Sequence, residues 1–203
     1  MITIVDYAMG NLGSISNMLK KVGAVSEITC DPARIAGAEK LILPGVGAFD
    51  AGMRNLRDSG FVPALSRRVL EDRVPVLGIC LGMQLMTDGS EEGTEPGLSW
   101  VPAHALRFKP SDPALKVPHM GWNRVQPNRP DPLLHELADD VRFYFVHSYY
   151  VSCADPSHVL LNANYGERFD AAFRCGNIWG VQFHPEKSHR FGMQLLRNFA
   201  ERC

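Results

Sequence analysis

The sequence predicts an α/β fold: a single domain with a central, mostly parallel sheet flanked by helices, extended by antiparallel strands in its C-terminal half. Three observations carry this. Short apolar runs alternate with helix-period segments through the first half. The run VPVLGI (74–79) is apolar throughout, as a strand buried on both faces should be. From Trp100 to Phe183 short strand-like runs follow one another without a helical pattern between them. No linker separates the halves, so residues 1–203 read as one domain.

In chain order, ITIVD (2–6) reads as a buried strand. Leu12, Ile15, Met18, Leu19 and Val22 then recur at helical spacing and form one apolar face. SEITC (26–30) is a second strand, and Asp31-Pro32 offers an N-cap followed by proline in a first helical turn. KLILP (40–44) is a third strand that runs into the glycine-rich PGVGAF. Residues 50–72 look helical with a break at Gly60, VPVLGI is the next strand, and LGMQLM (81–86) opens a helix. Prolines at 102, 110, 113, 118, 127, 130 and 132 make 100–132 loop-rich. VRFYFVHSYYV (141–151), HVLLNANY (158–165), AAFRC (171–175) and IWGVQF (178–183) read as strands added to the sheet, and a helix closes the chain over 189–202.

Composition narrows the function classes. A formal net charge of -1, with no lysine- or arginine-rich run, gives no electrostatic reason to expect nucleic acid or an anionic membrane as partner. The N-terminus lacks a basic region and a signal-length apolar run, and no stretch approaches the roughly 20 apolar residues that span a bilayer. A cytoplasmic protein is therefore expected. Five cysteines with no CxxC spacing argue against a disulfide framework or a thiolate zinc site, and no histidine–carboxylate cluster suggests a metal.

One cysteine stands apart. In VPVLGICLGMQ, Cys80 sits where a buried strand meets a helix, with Gly78 two residues before it and Gly82 two after. A sharp turn there forces the nucleophile into a strained backbone conformation, and the glycines leave room for close packing. Such a turn presents the side chain at the carboxyl end of the sheet, where open α/β sheets place their sites. The helix amino terminus favours a thiolate and supplies N–H groups to a developing oxyanion. The same pattern also describes a buried cysteine between two packing glycines.

A thiolate nucleophile needs a histidine and usually a third group to orient it. Of seven histidines, His184 follows an apolar strand and precedes Pro185, with Glu186 two residues on and able to approach the ring from behind. An exposed His-Pro turn with a surface glutamate remains an equal alternative. PGVG (44–47) suits a loop whose backbone amides face the thiol, although such loops more often only turn the chain.

PGVGAF (44–49), GICLGMQ (78–84) and HPEKS (184–188), in that order and spacing, resemble the class I glutamine amidotransferases, the triad-type glutaminases. With DYAMGNLGS (6–14), PHMGWN (118–123) and YFVHSYYV (144–151), the resemblance covers essentially the whole chain. It narrows to the glutaminase subunits that serve imidazole glycerol phosphate synthesis in histidine biosynthesis.

The resemblance implies that Cys80 attacks the side-chain amide of L-glutamine, His184 acts as acid and base, and Glu186 orients it. It implies an oxyanion hole from the backbone of Gly45, Val46, Gly47 and Leu81. Gln84 and Glu92 would hold the substrate's head group, with His147, Ser148 and Tyr149 lining it. Ammonia would pass into a partner (βα)8-barrel cyclase, which Asn11, His119, Met120, Trp122, Asn123 and Tyr144 would face, with Lys187 at the exit. No cofactor is implied. Read from the residues alone, Trp122 is either an exposed anchor or a filler of the core, and Lys187 either lines the exit or is simply solvated. Ala8 departs from the pattern, standing where glycine is expected in the first loop. The competing expectations are a stand-alone γ-glutamyl hydrolase, the same chemistry serving a paralogous barrel, and a binding module without catalysis; intact Cys80, His184 and Glu186 argue against the last.

Overall fold

A computed structural model describes residues 1–203. The elements follow as β1 (Ile2–Val5), α1 (Leu12–Lys21), β2 (Ser26–Thr29), α2 (Pro32–Ala36), β3 (Lys40–Gly45), α3 (Phe49–Asp58) and α4 (Phe61–Ser66). A π-helical turn extends α4 through 71, and β4 (Val76–Cys80) and α5 (Leu81–Leu85) come next. The second half holds β5 (Gly89–Ser90), β6 (Ala103–Arg107), β7 (His119–Arg124), β8 (Gln126–Pro127), β9 (Arg142–His147), β10 (Tyr149–Cys153), β11 (Val159–Tyr165), β12 (Glu167–Cys175) and β13 (Ile178–Val181). Helix α6 (His189–Arg202) closes the chain. No helix is long and apolar enough to cross a membrane.

The main sheet runs β2-β1-β3-β4-β13-β12-β10-β6-β5, and β11 pairs with β12 and with β8. Its first five strands are parallel; β12, β10 and β6 then pair antiparallel in turn. The period-two alternation of the strands divides the apolar residues between two cores. Ile42, Leu77 and Ile79 pack against Ile15 and Leu19 of α1 and Phe191, Leu195 and Phe199 of α6. Leu41, Leu43 and Val76 face the other way, onto Ile35, Met53, Leu56, Phe61 and Leu65 of α2 to α4.

Local signals act where the sequence places them. Asp31 caps α2, its Oδ1 accepting from Ala33 N at 2.9 Å. Gly60 breaks the helical stretch in the left-handed conformation, φ 71°.

One expectation holds and one needs correction. The segment 100–132 is loop-rich as expected, interrupted by the short strands β6, β7 and β8. Its prolines bound the strands, with Pro102 before β6, Pro118 before β7 and Pro127 at the end of β8, so the runs between them stay free to pair. The run 141–151 is not one strand of the main sheet. It breaks at Ser148; β9 pairs with β7 in a separate two-stranded sheet, while β10 joins the main one. Apolar side chains occupy both parities of this run, so periodicity could not locate the break, which the available partner strands decide.

The second sheet is tied to the segment that follows β13. Tyr144 of β9 accepts from His184 N at 2.9 Å, and its own N–H donates to Ser188 Oγ at 3.0 Å. Phe143 of β9 stacks on Phe183 with centroids 3.8 Å apart.

Candidate active site

The centre of the site is a backbone constraint. All five residues of β4 are buried, and at its last residue, Cys80, the chain turns with φ 53° and ψ -109°. A non-glycine residue held there costs about 1–3 kcal/mol, which the surroundings must over-determine. They do so by close approach. A Cβ on Gly82 would lie 1.8 Å from the carbonyl oxygen of Leu43, and one on Gly78 would lie 2.8 Å from the backbone of Met83. Only glycine lets β3, β4 and α5 come this close. Helix α5 has five residues, so its dipole is that of little more than one turn, less than the helix expected from the sequence.

Strand register delivers the neighbours. Gly45 of β3 pairs with Cys80, which sets Val46 and Gly47 beside the thiol as that strand ends. Gly47 has φ 113°, a conformation that glycine alone adopts freely. On the other flank Val181 of β13 pairs with Ile79, so the chain past β13 reaches the thiol from the opposite side.

That chain carries His184, almost fully buried. Its Nδ1 lies 2.8 Å from Glu186 Oε1, with both side chains out of solvent. Pro185 and a 3₁₀ turn over Pro185–Lys187 set the reach of the carboxylate. Ser188 locks the segment, its hydroxyl donating to the His184 carbonyl at 2.6 Å. His184 Nε2 and Glu186 Oε2 are buried and make no hydrogen bond of good geometry. Burial pulls the imidazole pKa down, but the neighbouring Cys80 and the hydrogen-bonded Glu186 outweigh it and push it up to about 9. The imidazole is thus set to hold a proton at neutral pH beside the thiol.

Gly47, Cys80, Leu81, Gln84, Glu92, His147, Ser148 and Tyr149 line one cavity of about 130 Å³. The pocket is small against the roughly 300–1,000 Å³ of drug-sized sites, and suits a compact polar ligand. Gly45 and Val46 border the thiol without lining the cavity; Val46 is 43% exposed. Glu92 Oε2 accepts from Phe49 N at 2.8 Å, at the start of α3. A larger groove of about 610 Å³ along 127–141 holds Arg129 and Asp131 but no cysteine. The thiol and the paired imidazole assign the chemistry to the smaller cavity. Nowhere do three or more His, Cys, Asp or Glu side chains converge so as to hold a metal ion.

Behind the cavity lies a histidine pair that the sequence did not announce. His147 Nδ1 meets the Tyr149 carbonyl at 2.8 Å, and its Nε2 meets His119 Nδ1 at 3.0 Å. A carbonyl only accepts, so Nδ1 of His147 bears hydrogen and its Nε2 accepts from His119. Burial holds both rings neutral, lowering His147 to about 3 and His119 to about 4. His119 was expected on the partner face and is instead buried, at 3% exposure, stacked on Tyr165 and Phe145. Its position on β7 is opposite His147 in register, so its side chain turns inward.

The neighbouring β7 positions turn outward. Met120 is 62% and Trp122 44% exposed, so Trp122 is not a core filler. Asn123 is half-buried and holds the Asn164 carbonyl at 2.8 Å, while Asn11 caps α1. Tyr144 lies across from Trp122 in register, and Lys187 Nζ sits 5.8 Å from the centre of its ring.

Four neighbours of the site escaped the sequence reading. His189 stacks on Trp122 at 5.6 Å and 12°. Ser188 and Gln182 flank the base, and Gln182 Nε2 lies 3.7 Å from Cys80 Sγ. Tyr7 is buried with its hydroxyl on the Pro44 carbonyl; burial and the nearby Cys80 push its phenol far up, so it stays neutral. A strand partner was the signal available for Gln182; nothing local marked Tyr7. Ala8, where glycine was expected, adopts φ 63°, the left-handed conformation that glycine favours.

Gly82→Ala should destabilise the protein by about 3 kcal/mol or leave it unfolded, because backbone oxygen must move to admit the methyl; urea unfolding measures this. Stability should also peak near pH 6.5. His119 and His147 have depressed folded values, so their contribution is full above about 6.5 and falls as acid protonates the unfolded chain first. His184 has a raised value, so its contribution is full below about 6.5 and is lost as pH rises through about 9. Urea unfolding from pH 5 to 9 should show both limbs, with His184→Ala flattening the alkaline one.

A model of the glutamine amidotransferase class-I family matches residues 3–203. The imidazole glycerol phosphate synthase subunit HisH 2 of Pseudomonas aeruginosa is 53% identical over 201 residues, 99% of each chain. The subunit of the same name from Methanococcus maripaludis is 50% identical over 203 residues, the whole of both chains. A solved glutamine amidotransferase superposes with TM-score 0.72 at 19% identity, covering 97% of this chain and 99% of that one. PurLQS from Thermotoga maritima superposes with TM-score 0.73 at 16% identity, covering 98% and 96%. These two likenesses speak for the fold. A thiol at a strained turn, a buried His–Glu pair beside it and a family match from the first strand to the last helix lead to one conclusion: this chain belongs to the class-I glutamine amidotransferases.

Proposed function

We propose that this chain is the glutaminase subunit of an imidazole glycerol phosphate synthase. It hydrolyses L-glutamine to glutamate and ammonia and delivers the ammonia to a (βα)8-barrel cyclase in histidine biosynthesis. The observation that carries the reading is the single cavity in which Cys80, Gly47, Leu81, Gln84, Glu92 and Tyr149 meet, with His184 and Glu186 beside the thiol. Relatives that share half of its residues over full length bear the name of that synthase's subunit, which supports the pathway.

The chemistry follows from the residues. Cys80 Sγ adds to the amide carbon of the glutamine side chain, and the oxyanion so formed takes hydrogen bonds from backbone N–H groups near Gly47 and Leu81. The protonated His184 gives its proton to the amide nitrogen, the C–N bond breaks, and ammonia leaves. A γ-glutamyl thioester remains on Cys80. His184, now neutral, takes a proton from water as that water adds to the thioester carbon, and collapse releases glutamate and the Cys80 thiolate. Glu186 holds the ring in the tautomer that both steps need and steadies its charge.

The exposed pair Met120 and Trp122, beside Tyr144 and Lys187, provides the docking surface for the cyclase in a heterodimer. Ammonia leaves past Lys187, and Val46–Gly47 completes the oxyanion hole when the partner binds, since glycine on both sides of Val46 frees that backbone. Five free cysteines are in keeping with a cytoplasmic setting.

Glutamine hydrolysis by the isolated chain should be slow and should rise strongly with a barrel partner that carries its ligand; equal activity without the partner would sink the subunit reading in favour of a stand-alone hydrolase. In the complex, Cys80→Ala should abolish glutamine-dependent synthesis and leave ammonia-dependent synthesis intact. Trp122→Ala should weaken assembly by about 2 kcal/mol, measured by calorimetric titration.

A further inference from the structure

Strand β13 ends one residue before Gln182, and its parallel register with β4, Val181 opposite Ile79, sets Gln182 beside Cys80. Gln182 is fully buried, and its Nε2 stands 3.7 Å from Cys80 Sγ, within reach for a hydrogen bond to sulfur. Its Oε1 accepts from Gln84 Nε2 at 3.1 Å. Gln84 Nε2 also reaches the carbonyl of Tyr149 at 3.1 Å.

This network fixes which way each amide points. The Tyr149 carbonyl can only accept, so the NH₂ group of Gln84 must lie on that side, and its second N–H must go to Gln182. The oxygen of Gln182 is thereby engaged, and its NH₂ group is turned to the sulfur. The result is a fixed N–H donor in a buried site, on the flank of the thiol opposite β3. A buried thiolate needs such a donor, because each hydrogen bond to the charged form offsets part of its desolvation.

We propose that Gln182 is a further catalytic residue, whose amide N–H stabilises the Cys80 thiolate, and that Gln84 and the Tyr149 carbonyl hold it in that orientation. Cys80 then meets its two supports from different directions. His184 supplies and removes protons, while Gln182 contributes a hydrogen bond that persists whatever the proton's position. The donor acts twice, when the thiolate attacks and when it departs from the thioester. The proposal rests on the glutaminase reading for the reaction it assists, but the contact itself concerns only the thiol.

The test uses Gln182→Met and Gln182→Leu, which roughly keep the volume, add no charge and offer sulfur no donor. The first readout is alkylation of Cys80 by iodoacetamide against pH, followed on its own peptide by mass spectrometry so that the other four cysteines do not contribute. His184 with Glu186, the Tyr7 phenol, and Glu92 and His147 of the cavity also face this region and are unchanged in these variants. Both variants should move the alkylation profile about one pH unit higher. In the complex with the cyclase, glutamine-dependent kcat should fall about 10- to 100-fold, with KM changed far less and ammonia-dependent synthesis retained.

An alkylation profile and kcat equal to wild type in either folded variant would overturn the proposal. So would a loss of kcat with an unmoved alkylation profile, which would leave Gln182 a structural residue. If Gln182→Met does not fold, Gln182→Leu carries the test. Failure of the glutaminase reading shows elsewhere, as glutamine turnover surviving Cys80→Ala, so the two results are separable.

Discussion

The site depends on one constraint, the positive φ at Cys80 where β4 gives way to α5. That conformation turns the thiol out of the strand direction and into the crevice at the carboxyl end of the sheet. It persists because Gly78 and Gly82 allow backbone to approach where any Cβ would collide with Met83 or Leu43. The strain is local, and the packing that holds it is spread over β3, β4 and α5. The nucleophile is therefore placed by the main sheet itself rather than by a mobile loop.

The parallel register then organises the rest. Strands β3 and β13 lie on either side of β4, so whatever follows each of them arrives beside the thiol. After β3 comes a glycine-rich turn able to present backbone N–H groups. After β13 come Gln182, then His184 with Glu186 behind it. The base needs a second anchor, because a short segment leaving a strand would otherwise be free to swing. The small β7–β9 sheet provides it through the Tyr144 backbone, whose carbonyl accepts from His184 N and whose N–H donates to Ser188 Oγ.

That second sheet also joins the cavity to the outer face. From Asn123 a continuous set of hydrogen bonds passes through His119 and His147 to the Tyr149 carbonyl, and from there through Gln84 and Gln182 to Cys80. Each step's donor and acceptor are settled by its neighbours, and burial keeps both histidines neutral. The exposed Met120 and Trp122 stand on the same strand as His119, so an exposed apolar face and the buried network share one backbone.

By itself the sequence determined the βαβ framework and the helix over 189–202, and it singled out the turn at Cys80 and the spacing of His184 and Glu186 while leaving a structural alternative open for each. These are local matters: apolar period, glycine spacing and a proline that fixes a short reach. It also carried a chain-wide family resemblance, through six separated motifs. Tertiary structure alone decided the change of sheet at Ser148, the inward turn of His119, the exposure of Trp122 and the approach of Gln182 and Tyr7 to the thiol. Each of those rests on which strand lies beside which and in what register. Gln182 is 102 residues from Cys80 in the chain and one hydrogen bond from it in the fold.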